Sequence, residues 1–421
     1  MEQREKIKEE QENKLRKIVE YVYERVPFYK KKFDEKGITP RDIRTIDDLK
    51  KLPFTTKQDL RDNYPYKMFA TLLENIVRIH ASSGTTGLQT IVGYTKNDIE
   101  IWSTMVAKTL KRYGVTSKDI VQVAYGYGMF TGGLGIHYGI EKLGAAVVPI
   151  SGGNTEKQVL TMKNFGVTVL ACTPSYALHI YDTMKAMGIS KDELKLRIGI
   201  FGAEPWSDEL RNQIQDKFGI KAYDIYGLSE VMGPGIGGEC ECQNGLHIDE
   251  ENFIAEIIDP ETLENVRDGE EGELVFTTLT KEGIPLIRYR TRDITTLTHE
   301  KCRCGSEEAR IKRICGRSDD MLIIRGVNVY PSQIENVLFT FDDISHNYLI
   351  VVDKSDVLDR LIINIELTEP KENFDSKYLE NLSKSINKEL NSMIQISCKI
   401  NLVDPNTIDK SYGKAKRVIS K

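Results

Sequence analysis

Apolar side chains recur every three or four residues near the start of the chain. This spacing places them on one face of an amphipathic helix, and Pro27 is expected to end it because proline lacks the backbone N–H. The apolar positions are Leu15, Ile18, Val19, Val22, Tyr23 and Val26. The pattern therefore predicts an N-terminal helix with one buried face.

A different pattern begins near residue 90, where short, continuous apolar runs alternate with helical segments. The runs span residues 120–124, 145–148, 167–170 and 198–201. Buried strands separated by helices are typical of an α/β domain with a mostly parallel sheet. Thr155 and Gln158 predict a capping box at the start of one of these helices.

Two further regions complete the predicted organisation. Strand-rich sequence at residues 253–258 and 273–279 indicates a smaller β subdomain within the first domain. The pattern changes near residues 316–320, after which strand-like runs and an amphipathic helix indicate a small α+β domain. We therefore predict an N-terminal domain of residues 1–317 and a C-terminal domain of residues 318–421.

Length and charge narrow the class of protein. A chain of 421 residues is long enough for two domains, and its net charge of −5 offers no basic field for nucleic acid. The N-terminus is polar rather than a signal peptide, and no apolar run is long enough to span a membrane. These features predict a cytoplasmic enzyme with small-molecule partners, neither nucleic acid nor membrane.

A hydroxyl- and glycine-rich loop follows the apolar run at residues 76–79. Its residues are Ser82, Ser83, Gly84, Thr85, Thr86 and Gly87. Glycines allow backbone N–H groups to turn inward and hydroxyls add donors, which suits a triphosphate. The loop lacks the lysine of kinase-type and GTPase-type phosphate loops, and a plain turn is the alternative interpretation.

Five further motifs follow the phosphate loop in order. They span residues 202–205, 226–230, 289–293, 316–335 and 413–416. With these motifs the chain resembles the adenylate-forming superfamily of acyl-CoA synthetases and, within it, the phenylacetate–CoA ligase family. The stretches most similar to that family are residues 125–133, 277–293 and 316–331.

The resemblance implies a two-step reaction. An aryl, phenylacetate-like carboxylic acid attacks the α-phosphate of ATP to give acyl-AMP and pyrophosphate, and the thiol of coenzyme A (CoA) then displaces AMP. One alternative is an adenylation enzyme that loads a carrier protein or another acceptor. The other is a non-catalytic nucleotide-binding scaffold.

Residue roles also follow from the resemblance. Glu230 would bind Mg²⁺, Tyr226 would stack on adenine, and Asp293 would accept from the ribose hydroxyls. Arg292 stands before Asp293 where glycine is common elsewhere in the superfamily. The implied ATP- and AMP-binding residues are Ser82, Ser83, Gly84, Thr85, Thr86, Gly87, Gly202, Ala203, Glu204, Pro205, Asp224, Tyr226, Gly227, Ser229, Asp293 and Arg317.

The small C-terminal domain is implied to be mobile. Asp319 matches the hinge, and Lys414 matches the lysine that offsets charge during adenylation. With Glu230, Lys414 is the implied catalytic residue. Arg325 and Gly326 match residues near the CoA passage.

Seven cysteines, an odd number, argue against a disulfide framework in this chain. Two C-x-C pairs with a nearby histidine suit tetrahedral, structural Zn²⁺, whereas reduced cysteines on β-turns are the alternative. The resemblance favours Cys240, His247, Cys302 and Cys304 as ligands, with Cys242 as the substitute.

A strip of small and aromatic residues is the candidate acyl site. Its residues are Tyr125, Gly126, Tyr127, Phe130, Gly132 and Gly133. Rings that line a flat cavity cleared by glycines suit an aryl acid, whereas tight backbone packing is the alternative. The chain is short for the superfamily, so the resemblance also implies a homodimer that covers surface another subdomain would cover.

Overall fold

The computed structural model of the protein describes residues 2–82, 89–318, 322–324, 327–353, 360–394, 396–408 and 417–420. The chain forms two compact units. The first unit contains Met1–Ala203 and Ile214–Arg313, and the second contains Glu204–Gln213 and Ile314–Lys421. Among the described residues, no helix combines the length and the apolar character needed to cross a membrane.

The N-terminal helix forms as the apolar spacing predicts. It ends at Arg25, and Pro27 opens the next helix at a position where the missing N–H has no intrahelical partner. The helices of the first unit are α1 (Glu2–Arg25), α2 (Pro27–Glu35), α3 (Lys57–Asp62), α4 (Lys96–Arg112), α5 (Thr131–Leu143), α6 (Thr155–Phe165) and α7 (Pro174–Ala186). The division between the units falls within α8 (Asp208–Phe218).

The centre of the first unit is a parallel sheet. Its strands are β3 (Ile120–Val123), β4 (Ala146–Val148), β5 (Val169–Cys172), β6 (Ile198–Gly202) and β7 (Lys221–Leu228). They lie in the order β7-β6-β5-β3-β4, and every residue of β5 and β6 is buried. This arrangement confirms the predicted α/β class. In such sheets ligands bind beyond the carboxyl ends of the strands. Gly202 and Leu228, the last residues of β6 and β7, therefore mark the edge where a binding site is expected.

Antiparallel strands extend this sheet beyond β7. They are β8 (Gly233–Gly238), β9 (Leu246–Ile248), β10 (Phe253–Ile258), β11 (Glu271–Thr278), β12 (Tyr289–Thr298) and β13 (Arg310–Ile311). The order continues β7-β8-β9-β13-β12-β11-β10. A separate hairpin pairs β1 (Ile76–Ser82) with β2 (Thr90–Thr95), so Ser82 lies opposite Thr90.

The second unit is α+β, as predicted. Its elements are β14 (Gly316–Arg317), β15 (Leu322–Ile324), β16 (Val327–Val329), α9 (Pro331–Leu338), β17 (Ile344–Asp353), β18 (Arg360–Leu367), α10 (Ser376–Ile394), β19 (Lys399–Val403) and β20 (Val418–Ser420). The sheet order is β19-β18-β17-β20. Helix α10 buries Leu382, Ile386 and Leu390, which share one helical face.

One local prediction is wrong. Helix α6 begins at Thr155, but its N-cap is Asn154 and not Thr155. Asn154 adopts φ 45° and its side chain accepts from the Lys157 N–H. Asparagine tolerates this left-handed conformation and its short amide reaches the first turn, so it replaces the expected capping box.

Candidate active site and metal cluster

Glu230 lies in the turn between β7 and β8, residues 229–232, which we call the Glu230 turn. Its side chain is buried, and the Lys57 ammonium at the first position of α3 lies 3.2 Å from Oε1. Burial alone would raise the pKa of the Glu230 carboxyl, but the ion pair with Lys57 and a hydrogen bond from the Glu230 backbone N–H together lower this pKa. Glu230 is therefore ionised at neutral pH, in the form that a hard cation prefers.

Two buried or half-buried lysines near this turn were missed from the sequence. Lys57 follows an N-cap threonine, so its pattern indicates only a helix start. Lys281 is completely buried, and burial lowers its pKa to about 8. A buried lysine cannot be recognised from sequence because charged residues normally remain at the surface.

Tyr226 and Asp293 meet across the sheet. The Tyr226 hydroxyl in β7 donates to Asp293 Oδ2 in β12 at 2.6 Å. Asp293 is buried and Tyr226 is partly exposed. An aromatic ring and a carboxylate, the two groups expected to contact adenine and ribose, are therefore adjacent although they are far apart in sequence.

Arg292 adopts φ 70°, a conformation in which glycine is the usual residue. Its backbone N–H donates to Glu273 Oε1 at 3.3 Å, and its guanidinium lies 3.5 Å from Glu273 Oε2. These contacts to one carboxylate stabilise an arginine where the wider superfamily commonly has glycine.

The end of β6 requires glycine at residue 202. A Cβ atom there would lie 2.2 Å from the Ile225 carbonyl oxygen. A Cβ atom at Gly227 would lie 1.9 Å from the Gly233 carbonyl oxygen. Both glycines therefore allow backbones to approach more closely than any side chain would permit, and Ala203 continues the turn with φ 71°.

Several predicted nucleotide residues have other partners in the structure. The Asp224 Oδ2 atom lies 3.6 Å from Arg313 Nε, and the Ser229 hydroxyl lies 2.8 Å from that of Thr131. Glu204 and Pro205 belong to the short segment grouped with the second unit, and Arg317 lies in β14.

Other predictions lie outside the described residues. They concern Ser83, Gly84, Thr85, Thr86 and Gly87 of the phosphate loop, the hinge Asp319, the CoA-passage residues Arg325 and Gly326, and Lys414. The described ends of the phosphate loop are the paired strands β1 and β2.

The aromatic members of the candidate acyl site differ in exposure. Tyr125 is buried, and its hydroxyl donates to the Cys172 carbonyl at 2.6 Å, so it packs against the parallel sheet. The Tyr127 hydroxyl lies 3.2 Å from His137 Nδ1. Phe130, just before α5, is 41% exposed and is the ring most available to a ligand.

The glycines of this strip make close contacts. A Cβ atom at Gly132 would lie 2.4 Å from the Phe130 ring, and one at Gly133 would lie 2.6 Å from the Gly126 carbonyl oxygen. Gly132 thus leaves the space that the Phe130 ring occupies, and Gly133 allows the backbone at Gly126 to approach α5.

Four side chains from the antiparallel part of the first unit converge, and we call them the Cys/His cluster: Cys240, His247, Cys302 and Cys304. Their ligand atoms all lie within 4.8 Å of one another. The Sγ atoms of Cys240 and Cys302 are 3.8 Å apart, and Cys304 Sγ is 3.6 Å from His247 Nε2.

These distances fit tetrahedral zinc. Bonds of ~2.3 Å to sulfur and ~2.0 Å to nitrogen imply S···S and S···N separations of ~3.8 Å and ~3.6 Å. Cys240 follows β8, His247 lies in β9, and the other two cysteines lie in the turn between β12 and β13. Among the described residues, Cys242 is not part of this group.

A charged layer surrounds His247. Its Nδ1 atom lies 3.9 Å from Glu308, which also pairs with Arg112 and, at 2.7 Å, with Lys108. Burial lowers the pKa of His247 to about 4, so the ring is neutral at physiological pH. A neutral imidazole is the form that binds a metal.

Comparison with known proteins groups the two parts of the chain with one class of enzyme. Residues 3–279 match the AMP-binding enzyme family, and residues 326–421 match the AMP-binding enzyme C-terminal domain. The phenylacetate–coenzyme A ligases of Aromatoleum evansii and Escherichia coli K12 are each 48% identical to this chain, over 97% of it and 93% of their own length. A crystal structure of 2-hydroxyisobutyryl-CoA ligase in the postadenylation state has a TM-score of 0.91 and 25% identity, and the match covers 98% of this chain and 89% of that one.

Proposed function

This chain belongs to the phenylacetate–CoA ligase family of acyl-adenylate-forming enzymes, and on that basis we propose that it joins an aryl carboxylic acid to CoA with ATP. The reaction proceeds through acyl-AMP and releases AMP and pyrophosphate. The observation that carries the proposal is the hydrogen bond between Tyr226 and Asp293 near the carboxyl end of β7, with the ionised Glu230 in the turn that follows this strand.

The nucleotide is held by residues of the first unit. The Tyr226 ring offers a face for adenine, and the Asp293 carboxylate accepts hydrogen bonds from the ribose. Glu230 would hold Mg²⁺, which would offset charge on the phosphates when bound. Because Glu230 is already ionised and buried, it needs no deprotonation to act as a ligand.

The candidate acyl site would bind the carboxylic acid. Phe130 and Tyr127 offer aromatic surface just before α5, and the absence of a side chain at Gly132 makes room for the Phe130 ring. Such a surface favours a planar aryl group over a branched aliphatic one.

The second step uses CoA itself as the nucleophile. The thiol attacks the acyl-AMP carbonyl and AMP leaves, so no acyl-enzyme is needed. We propose that residues 318–421 form a mobile domain that turns at Asp319 and carries Lys414 for the first step. Arg325 and Gly326 would then lie near CoA.

The Cys/His cluster would bind a structural zinc. Two of its ligand-atom separations match tetrahedral zinc and all four atoms lie within 4.8 Å of one another, and four protein ligands would leave no open position for a substrate. A zinc at this cluster joins segments about 60 residues apart, so it would stabilise the antiparallel strands.

We further propose a homodimer. Three apolar side chains at or before β1 are exposed, namely Leu72 (67%), Val77 (61%) and Ile79 (41%), and exposed apolar side chains that lie together favour a protein–protein interface. Sedimentation as a monomer at micromolar concentration would contradict this.

The test is production of AMP and acyl-CoA over a panel of aryl and aliphatic acids with Mg²⁺. We expect phenylacetate-like acids to support CoA-dependent AMP release. Acid-dependent pyrophosphate exchange with a carrier protein as the only acceptor would favour the alternative adenylation enzyme, and ATP binding without exchange would favour a scaffold.

A single variant separates the two steps. Lys414→Ala should abolish most acyl-AMP formation, because an ammonium that offsets transition-state charge typically contributes on the order of 100-fold or more. It should leave thioester formation from supplied acyl-AMP nearly unchanged. Equal loss of both steps would contradict the assignment of Lys414 to adenylation.

A further inference from the structure

Lys281 contacts the backbone of the Glu230 turn from the buried side. Its Nζ atom donates to the Val231 carbonyl at 2.7 Å and lies 3.5 Å from the Glu230 carbonyl. The lysine is completely buried, in the segment between β11 and β12. An ammonium with no access to water is thus directed at the peptide groups on either side of Val231.

Tyr94 contacts the other two carbonyls of the same turn. Its hydroxyl donates to Met232 at 2.8 Å and lies 3.4 Å from the Ser229 carbonyl. Its ring centroid is 4.6 Å from Lys281 Nζ, a cation–π distance. Every carbonyl of the Glu230 turn therefore lies against one of two contiguous buried side chains.

Asp98 holds this pair in place. Its buried carboxylate accepts from the backbone N–H groups of Glu282 at 2.7 Å and Gly283 at 2.9 Å, which follow Lys281 directly. It also accepts from Thr95 at the start of α4. Asp98 thus supplies the charge opposite to Lys281 and fixes the backbone that carries this lysine.

Packing alone does not explain a lysine at position 281. Removing an ammonium from water is costly even when it is paired, and apolar residues of similar volume often stabilise such positions better. Among the described residues, Lys281 is the partner of the Glu230 and Val231 carbonyls, which an apolar side chain at this position would not satisfy. These carbonyls belong to the residue that carries the Mg²⁺-binding carboxylate and to its neighbour.

We propose that Lys281 is a positioning residue for adenylation, acting with Tyr94 and Asp98 to hold the Glu230 turn in the conformation that presents the Glu230 carboxylate to the metal–nucleotide complex. This inference rests on the proposed function. Lys281 itself acts through the backbone, since its Nζ atom donates to the Val231 carbonyl of the turn.

The proposed role predicts an effect confined to the first step. Acyl-AMP formation needs the cation beside the phosphates, whereas thioester formation from supplied acyl-AMP has no triphosphate to neutralise. A purely structural lysine would affect both steps together, through the amount of folded enzyme.

The experiment uses full-length Lys281→Met, which keeps the length of the side chain but removes charge and donors. The Mg²⁺ concentration for half-maximal pyrophosphate release should rise about 10- to 100-fold, the range for residues that support a metal ligand. Mn²⁺ binding in the presence of a non-hydrolysable ATP analogue, measured by electron paramagnetic resonance, should weaken by a similar factor. Thioester formation from supplied acyl-AMP should stay within about twofold.

Lys221→Met is the matched control. Lys221 also donates from Nζ to a backbone carbonyl, that of Glu241 at 3.1 Å, but it is exposed at the start of β7. Both steps and the Mg²⁺ requirement should remain at the wild-type level. If Lys281→Met does not fold, Tyr94→Phe decides the question: it should raise the Mg²⁺ requirement on the order of 2- to 10-fold.

The outcomes separate this inference from the proposed function. Wild-type enzyme that releases no pyrophosphate with any acid would refute the proposed function itself. The positioning role would be overturned if the wild-type enzyme is active and Lys281→Met has an unchanged Mg²⁺ requirement and Mn²⁺ affinity. If only Tyr94→Phe folds, the same result in that variant would overturn it. Equal loss of both steps in Lys281→Met would also overturn it.

Discussion

The Glu230 turn and the Cys/His cluster both gather buried polar groups from distant segments, but they are held by different means. Protein side chains hold the Glu230 turn: Lys281 and Tyr94 contact its backbone, and Lys57 pairs with its carboxylate. The Cys/His cluster brings three thiols and an imidazole together at distances that suit an ion. In the proposed function, the protein supports a metal ligand for chemistry in the first region, whereas in the second a metal would support the protein.

Because the two regions are held differently, substitutions in them should affect different measured properties. Changes in the Glu230 turn should alter adenylation more than the melting temperature (Tm). Changes in the Cys/His cluster should lower Tm while the folded enzyme still adenylates.

The largest effect is expected from Glu230→Gln. The amide keeps the size of the side chain but removes the charge that attracts Mg²⁺, so acyl-AMP formation should fall on the order of 100-fold or more. Acid-dependent pyrophosphate release measures this, and Tm should change little. Wild-type adenylation in this variant would contradict the proposed role of Glu230, and the contrast between the two regions would then no longer hold.

Cys302→Ser should have the next largest effect, which should be a loss of thermal stability rather than of adenylation. Loss of a thiolate ligand should lower zinc below about one ion per chain and reduce Tm by roughly 5–10 °C. Metal analysis and thermal unfolding check both, with adenylation measured well below Tm. Cys242→Ser is the control and should retain zinc, since Cys242 lies outside the group of ligand atoms. Equal loss of metal in both variants would contradict the ligand assignment.

Lys57→Met tests whether Lys57 and Mg²⁺ bind the same Glu230 carboxylate. Without Lys57 the buried Glu230 carboxylate loses its ion-pair partner, which should destabilise the ligand-free enzyme by about 1–3 kcal/mol. Saturating Mg²⁺ and ATP should restore much of the lost Tm because the cation replaces the ammonium. The same Tm deficit with and without nucleotide would show that Lys57 and Mg²⁺ do not share the carboxylate.

An ion pair that takes part in neither region gives a reference for the smallest effect. Asp119 pairs with Arg197, and burial would raise its pKa, but hydrogen bonds from Arg197 and Thr116 lower it to about 2. A lowered pKa contributes stability above the unfolded value of 3.8 that is lost as pH falls towards about 2.

Arg197→Met should therefore make Tm less dependent on pH across that acidic range. At neutral pH it should cost only about 0–1 kcal/mol, because Arg197 is partly exposed. Thermal unfolding as a function of pH measures this, and an unchanged acid dependence would contradict the assignment. Adenylation at neutral pH should not change.

The sequence alone determined the class of fold and much of the candidate chemistry. Continuous apolar runs predicted the parallel strands because a strand buried on both faces needs apolar residues at every position, as in β5 and β6. The family resemblance singled out Glu230 and Asp293 as candidates for Mg²⁺ and ribose, and the two C-x-C pairs predicted a metal site, because carboxylates and thiolates suit these ligands by residue type.

The tertiary structure decided what depends on neighbours. The N-cap of α6 is Asn154 because its backbone adopts a left-handed conformation, and Arg292 replaces glycine because Glu273 contacts it. Lys281 gave no signal at all, since a lysine in a sequence is expected at the surface. Its proposed role comes from burial against two carbonyls of one turn, and such contacts exist only once segments about 50 residues apart have packed together.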